Sequence, residues 1–279
     1  MSTNSKVWFI TGASRGFGAL IAKDALARGD KVVATARNPQ TVINALGSHP
    51  NLLALKLDVT SEQAAIEAAE QSIQHFSRID ILVNNAGYGL LGAVEESGDQ
   101  EVKDLFNTNV FGVLNVIRAV VPYMRKQASG HIINISSIGG YASYPGWGVY
   151  CATKFAVEAL TESLAYELQP FGIKATTVEP GFFRTDFLDS TSLVSTKKNF
   201  AEYAETVGAM RDFAASANHA QPGDPTKLSK AILELVDSEN PPLRLPLGSD
   251  TVQKITEKNQ FVQKELDNWK DLAISTDFA

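Results

Sequence analysis

Thr11-Gly12-Ala13-Ser14-Arg15-Gly16-Phe17-Gly18 is the stretch on which the reading of this chain turns. It follows a short apolar run, Val7–Ile10, and precedes a helical pattern that ends near Arg28, where Gly29 is a stop signal. A strand, a glycine-rich turn and a helix in succession make a particular local structure. The glycines let the backbone turn tightly, and a pyrophosphate can approach the free N–H groups and positive end of the helix.

Working outward, further apolar runs at Lys31–Ala36, 52–57, 80–84, 131–136, 173–178 and 243–247 read as strands. Helical patterns fill residues 61–76, with Ser61 as the cap, and 100–127, 148–168 and 224–237. Strand alternating with helix implies a parallel sheet with helices on both faces. Right-handed crossovers then give a Rossmann-type, doubly wound α/β fold of seven strands, whose ligand crevice lies beyond the carboxyl ends of the strands. The whole of 1–279 reads as one domain. Residues 182–222 show no strand signal and are expected to be a lid. Residues 249–272 read as a C-terminal helix with a broken stripe of Val252, Ile255, Val262, Leu266 and Trp269.

The totals restrict the choices. A chain of 279 residues, 44% hydrophobic and 20% charged, can bury a sizeable core and is not disordered. A net charge of −6 argues against nucleic acid as a partner. Cys151 is the one cysteine, so an intramolecular disulfide and a four-cysteine zinc site are excluded, and a cytoplasmic setting is expected. Met1 to Lys6 is short and polar and does not read as a signal peptide. Uninterrupted apolar runs fall short of the roughly 18 residues of a membrane span, so no membrane partner is expected. His49, His75, His131 and His219 show no metal-ligand spacing, and no metal is expected.

The spacing Thr-Gly-x-x-x-Gly-x-Gly is joined by Asn84-Asn85-Ala86-Gly87, Asn109, Ser137, Tyr150-x-x-x-Lys154 and Pro180-Gly181, in that order. Over residues 7 to about 186 the chain resembles the short-chain dehydrogenase/reductase family. The resemblance implies that Gly12, Ser14, Arg15, Gly16, Phe17 and Gly18 hold the phosphates of a nicotinamide dinucleotide. It implies that Asp58 and Val59 lie at the adenine and Asn85, Ala86 and Gly87 at its ribose. Pro180, Gly181 and Thr185 would lie at the nicotinamide, and Asn109 would shape its helix so that water reaches Lys154. Several side chains have a second reading: Asp58 as a turn residue, Thr185 as a helix cap, Asn109 as a satisfied core amide, and Asn85 to Gly87 as support for the sheet. The lid and tail look most like a bacterial branch similar to steroid and retinol dehydrogenases.

The second strand ends in Ala34-Thr35-Ala36-Arg37, with no carboxylate to grip a ribose 2′-hydroxyl. A 2′-phosphate instead suits a guanidinium fork, which Arg37, and Arg15 in the glycine loop, could supply. The expected cofactor is therefore NADP(H).

Carbonyl reduction needs a hydride, a proton and a partner for the developing alkoxide. Tyr150 and Lys154 lie one helical turn apart on one face, and the ammonium, with the oxidised nicotinamide nearby, is expected to lower the phenol's pKa. Ser137, at the end of the fifth strand, would hold the substrate oxygen; Ser136 competes for that role. Phe182, Phe183, Phe187, Leu188, Phe200, Tyr203, Met210 and Phe213, with Tyr88, Tyr141, Tyr144 and Trp147, suggest a hydrophobic ketone or alcohol, or ordinary helix packing. Helices 100–127 and 148–168 are apolar around much of their girth, and a homodimer or homotetramer is expected. Rival readings are a non-catalytic NADP-binding regulator, which typically lacks the tyrosine or lysine, and a nucleotide-sugar epimerase, which carries a larger C-terminal domain.

Overall fold

The computed structural model describes residues 5–278, so most of the polar Met1 to Lys6 stretch lies outside the described residues. Seven strands form one parallel sheet: β1 (Val7–Ile10), β2 (Lys31–Ala36), β3 (Leu52–Lys56), β4 (Ile81–Asn84), β6 (Gly130–Ile135), β7 (Ile173–Pro180) and β9 (Arg244–Leu247). The order across the sheet is β3-β2-β1-β4-β6-β7-β9, with the reversal between β1 and β4. This is the Rossmann-type fold the alternation implies. Strand bounds agree with the sequence reading to within two residues.

β1 shows why a central parallel strand reads as unbroken apolar sequence. Its side chains alternate across the sheet, and both faces are covered. Val7 and Phe9 enter one core with α3 (Glu62–Phe76), α5 (Gly112–Gln127) and α6 (Gly148–Leu168). Trp8 and Ile10 enter the other with α1 (Gly16–Ala27) and α8 (Pro225–Asp237). Full burial of such a side chain is worth about 1.5–3 kcal/mol. α1 ends where Gly29 takes φ 88°, and Ser61 caps α3 by accepting from Ala64 N.

The structure adds three features to the sequence reading. α2 (Pro39–Leu46) follows β2; Asn38 caps it, and only Val42 is buried, too little for a periodic signal. A second, two-stranded sheet pairs β5 (Gly89–Leu91) with β8 (Leu193–Ser195). The lid therefore does contain a strand. Its partner lies about a hundred residues away, so local alternation could not mark it. Thirdly, residues 100–127 are not one α-helix: α4 (Asp99–Phe106) passes through a π turn, Asn107–Phe111, into α5.

The run Asp99–Gln127 is long and apolar enough to cross a membrane by length and composition. Its second half packs on α3 and on the face of the sheet that buries Val116, Ile117 and Val120. The lid continues through α7 (Ala209–Ala217), and α9 (Ser249–Ile274) closes the described chain.

Candidate active site

A cleft of about 1310 Å³ opens at the carboxyl ends of the strands. It runs from Arg37 and Asp58 past the glycine loop to Ser137, Tyr150 and Lys154, and ends under the lid.

At the first end, Gly12 takes φ 63° and Gly16 φ 55°, in the left-handed region that favours glycine. A Cβ on Gly12 would lie 3.0 Å from Ala86 Cα, and one on Gly18 only 2.6 Å from Gly12 O. Gly12 and Gly18 are therefore needed for the close packing of the loop on Asn85 and Ala86, whereas a Cβ on Gly16 would meet nothing within 4 Å. Thr11 fastens the loop to β4: its Oγ1 accepts from Asn85 N at 2.9 Å and Ala86 N at 3.0 Å. Asn85 Nδ2 donates to Thr11 O and Gly12 O. Asn85 therefore supports the sheet end while it lines the cleft. Ser14, Phe17, Val59 and Gly87 line it too.

The two arginines part company. Arg37 is exposed at the end of β2 and makes no hydrogen bond or ion pair among the described residues. Arg15 turns the other way and donates to Thr191 O at 2.7 Å and Ser192 Oγ at 2.9 Å, tying the glycine loop to the lid. Both bonds leave from Nη2, so Arg15 is tied to the lid while it also lines the cleft. Asp58 Oδ1 accepts from Thr60 N and Thr60 Oγ1, so the turn reading holds for that oxygen even though the residue borders the cleft.

At the other end, Ser137 begins a 3₁₀ turn and accepts from Gly139 N at 3.0 Å. A Cβ on Gly139 would lie 3.4 Å from Ser137 Oγ, 3.5 Å from Tyr150 Cε1 and 3.1 Å from Cys151 Sγ. Serine and tyrosine therefore converge across a position that only glycine fills easily. Ser136 Oγ points instead to the opposite side, beneath Gly140 and beside Glu158. That geometry separates the two serines.

Tyr150 and Lys154 share one face of α6, with the Lys154 Nζ 5.7 Å from the centre of the phenol ring and 2.8 Å from Ile135 O. Trp147 and Phe187 wall the phenol, with ring centres 5.5 and 5.7 Å away. Burial pushes the Tyr150 phenol well above its ordinary value, and a hydrogen bond with Ser137 pulls it back only in part. Burial also draws Lys154 down to about 8, opposed by Glu158. Desolvation is thus the largest influence on the phenol in the chain itself, whereas the expected lowering counted the ammonium together with an oxidised nicotinamide.

Asn109 sits in the π turn, buried, with its amide oxygen accepting from Tyr88 N and its amide nitrogen donating to Tyr88 O and Thr153 Oγ1. Thr153 Oγ1 in turn donates to Tyr150 O. A Cβ on Gly87 would lie 3.1 Å from Asn109 Oδ1 and 3.9 Å from Lys154 Nζ. Sequence reasoning missed Thr153 and the pinning of Tyr88, which Asn109 in the π turn brings together, and Gly139, which lies in the 3₁₀ turn after Ser137.

Pro180 and Gly181 reach the cleft, and Thr185 both lines it and accepts from Phe187 N as the cap of a short turn. Asp250, at the start of α9, accepts from Phe182 N at 2.7 Å and packs on Gly181. Phe182, Phe183, Phe187, Leu188, Met210, Phe213, Tyr88, Tyr144 and Trp147 line the cleft. Tyr141, Phe200 and Tyr203 do not. The Tyr141 hydroxyl donates to Asn259 and the Tyr203 hydroxyl to Glu95, each drawing its ring outward. Cys151 is buried, and burial raises its thiol pKa. The lid gathers Asp186, Asp189 and His219, which sequence spacing did not reveal; Asp189 Oδ1 is already shared by His219 and Asn218.

The short chain dehydrogenase family model matches residues 6–194. Oxidoreductase BOA17 of Botryotinia fuckeliana is 36% identical over 274 residues, 98% of this chain and 99% of the relative. A 3-ketodihydrosphingosine reductase of Bacteroides thetaiotaomicron is 41% identical over 244 residues, 87% of this chain and 88% of the relative. A solved short-chain dehydrogenase from Streptomyces avermitilis superposes with a TM-score of 0.92 at 43% identity, covering 99% of this chain and 100% of that one. More distant solved structures include ElxO with NADP bound, at 28% identity and a TM-score of 0.74. A 3-ketoacyl-(acyl-carrier-protein) reductase from Brucella melitensis, complexed with NADH, follows at 26% and 0.73. The chain belongs to the short-chain dehydrogenase family and is an oxidoreductase of that type, built to bind a nicotinamide cofactor.

Proposed function

We propose that the protein is an NADP(H)-dependent carbonyl reductase or alcohol dehydrogenase acting on a medium-sized, hydrophobic ketone or secondary alcohol. The observation that carries this reading is the convergence of Ser137, Tyr150 and Lys154 at one end of a cleft whose other end is the bare glycine cradle. The cradle fits a dinucleotide, because the loop from Gly12 to Gly16 lines the cleft at the start of α1, and a Cβ on Gly16 would stand in open space. The cofactor, when bound, supplies or accepts the hydride.

Ser137 donates to the substrate oxygen and fixes it beside the phenol. Tyr150 gives that oxygen its proton in reduction and takes it back in oxidation. A phenol held up by burial is well suited to remain protonated until the developing alkoxide demands its proton. Lys154 adds positive charge at the phenol and a donor for a ribose hydroxyl. Asn109 positions Tyr88 and, through Thr153, the first turn of α6. Arg37 receives the 2′-phosphate, which is why NADP(H) is preferred; Arg15 contributes by holding the lid.

The aromatic lining and the relative named for reducing a 3-keto group both support a ketone. Phe111 and Phe155, about half exposed beside α5 and on α6, support two-fold pairing of these helices into a homodimer or homotetramer. The single, buried thiol suits a cytoplasmic setting. The test is a fluorescence titration with NADPH and NADH, then NADPH oxidation against a panel of aromatic and aliphatic ketones. Tighter NADPH binding and turnover of at least one hydrophobic ketone are expected. Binding with no turnover across the panel would overturn the carbonyl reading, and equal affinities would overturn the NADP(H) preference.

A further inference from the structure

A second ionisable cluster lies behind the site, on the far side of the Ser136 to Gly140 turn. Glu158 stands four residues past Lys154 on α6, so the two side chains share a face. Glu179 approaches from β7 and is 0% exposed, and Glu158 is also buried. Carboxylates removed from water need donors or cations. Here Thr177 Oγ1 donates to Glu158 Oε2 at 2.9 Å. One guanidinium serves the pair: Arg244 Nε, on β9, lies 3.3 Å from Glu158 Oε2 and 3.9 Å from Glu179 Oε1. Its Nη2 donates to Glu162 at 2.6 Å. Glu158 Oε1 has only the adjacent Ser136 hydroxyl to serve it, and neither oxygen of Glu179 has a hydrogen-bond partner. Two buried carboxylates, one with both oxygens unserved, and part of one guanidinium call for a proton between them.

We propose that Glu158 and Glu179 share one proton, and that the single negative charge left on Glu158 is a positioning element that keeps the Lys154 ammonium charged in its buried seat. The proposal rests on the reading of Lys154 given under Proposed function. The groups facing the pair are Lys154 and Glu162 from α6, Arg244 from β9, Thr177 from β7 and Ser136 from the end of β6. Glu179 is pushed up to about 7 by burial and then by Glu158, which marks it as the member that holds the proton. Burial brings Lys154 down to about 8, and Glu158 is the group that opposes the fall. The Glu158 carboxylate thus offsets part of the desolvation of a lysine that must stay cationic beside a phenol.

The pair can be tested without any turnover assay. Glu158→Gln and Glu179→Gln remove the same amount of charge but leave the remaining carboxylate in different places. In Glu179→Gln the amide donates to Glu158, and the negative charge stays one turn from Lys154. In Glu158→Gln it moves to Glu179, away from the lysine. With NADP+ bound, the titration of Lys154 is followed by NMR of 13Cε-labelled lysine, its signal assigned by Lys154→Arg. Glu158→Gln is expected to lower the Lys154 midpoint by about one pH unit or more, and Glu179→Gln to leave it where the wild type has it. Equal midpoints in all three proteins, or equal shifts in both variants, would overturn the proposal.

Isotope-edited infrared spectroscopy of 13C-glutamate-labelled wild type gives a second measurement should Glu158→Gln fail to fold. A protonated carboxyl band is expected at pH 6 and is expected to be lost in Glu179→Gln. Its absence in the wild type would overturn the shared proton. Neither measurement depends on Tyr150 chemistry, so a failure here is distinct from a failure of the proposed reaction.

Discussion

The phenol of Tyr150, walled by Trp147 and Phe187, holds its proton firmly in the chain alone. The charges around it therefore matter more than its own reference acidity. At the opposite end of the cleft, Arg37 is the side chain on which the proposed preference for NADP(H) chiefly rests. Arg37 is exposed and unengaged, whereas Arg15 is bound to Thr191 and Ser192. Charge-assisted hydrogen bonds are worth about 1.5–3 kcal/mol, or roughly a 10- to 150-fold change in affinity. Arg37→Ala is accordingly expected to weaken NADPH binding by about that factor and leave NADH binding nearly unchanged, as read by fluorescence titration. An equal loss for both dinucleotides would show that Arg37 does not contact the 2′-phosphate. The missing carboxylate at Ala36 and the presence of Arg37 could be read from sequence, but the diversion of Arg15 could not. Its partners are more than 170 residues away, and nothing local marks them.

Among the elements, those built from local signals were the legible ones. The glycine loop, Ser61 and the apolar run of β1 announce their own structure, because turn chemistry, capping and two-sided burial each act on neighbouring residues. The π turn at Asn107–Phe111 and the β5–β8 pair depend on distant contacts, from Asn109 to Tyr88 and from Gly89 to Leu193, and gave no local sign. The lid has a distant anchor of the same kind. Glu96 is fully buried and accepts from Ala93 N, Phe200 N and Arg211 Nη2. Burial alone would raise its carboxyl, but these donors outweigh burial and hold it below the ordinary range. The stability it contributes is therefore complete above the ordinary carboxylate pKa and is lost as pH falls through the depressed folded value. Glu96→Gln is expected to cost the lid about 2 kcal/mol and to speed amide hydrogen exchange at Phe200 and through 196–211. Wild-type exchange rates there would show that Glu96 does not hold the lid.

At the level of the whole molecule, the two cores that sandwich the sheet bury polar groups along with apolar ones. His131, at the start of β6, is 4% exposed, with its Nε2 2.9 Å from Thr176 Oγ1. Burial, with Lys174 and Lys6 nearby, lowers its pKa to about 3. Between roughly pH 6.5 and 3 the unfolded chain binds a proton there that the folded chain refuses. Stability should therefore be complete above pH 6.5 and fall by up to about 1.4 kcal/mol per pH unit below it. Urea midpoints from pH 7 to 5 are expected to fall more steeply in the wild type than in His131→Gln. Parallel slopes would assign the acid sensitivity to other groups.

Cofactor cradle, phenol and ammonium all sit at the carboxyl edge of one sheet, and the proposed reaction requires that phenol as its proton donor. Tyr150→Phe keeps the ring that packs on Trp147 and Phe187 and removes one oxygen. The decisive measurement is NADPH affinity alongside single-turnover ketone reduction in that variant. NADPH affinity within about twofold of wild type with reduction slowed at least 100-fold, the lower range for a general acid, is the expected result. Reduction at a rate near that of the wild type would contradict the account.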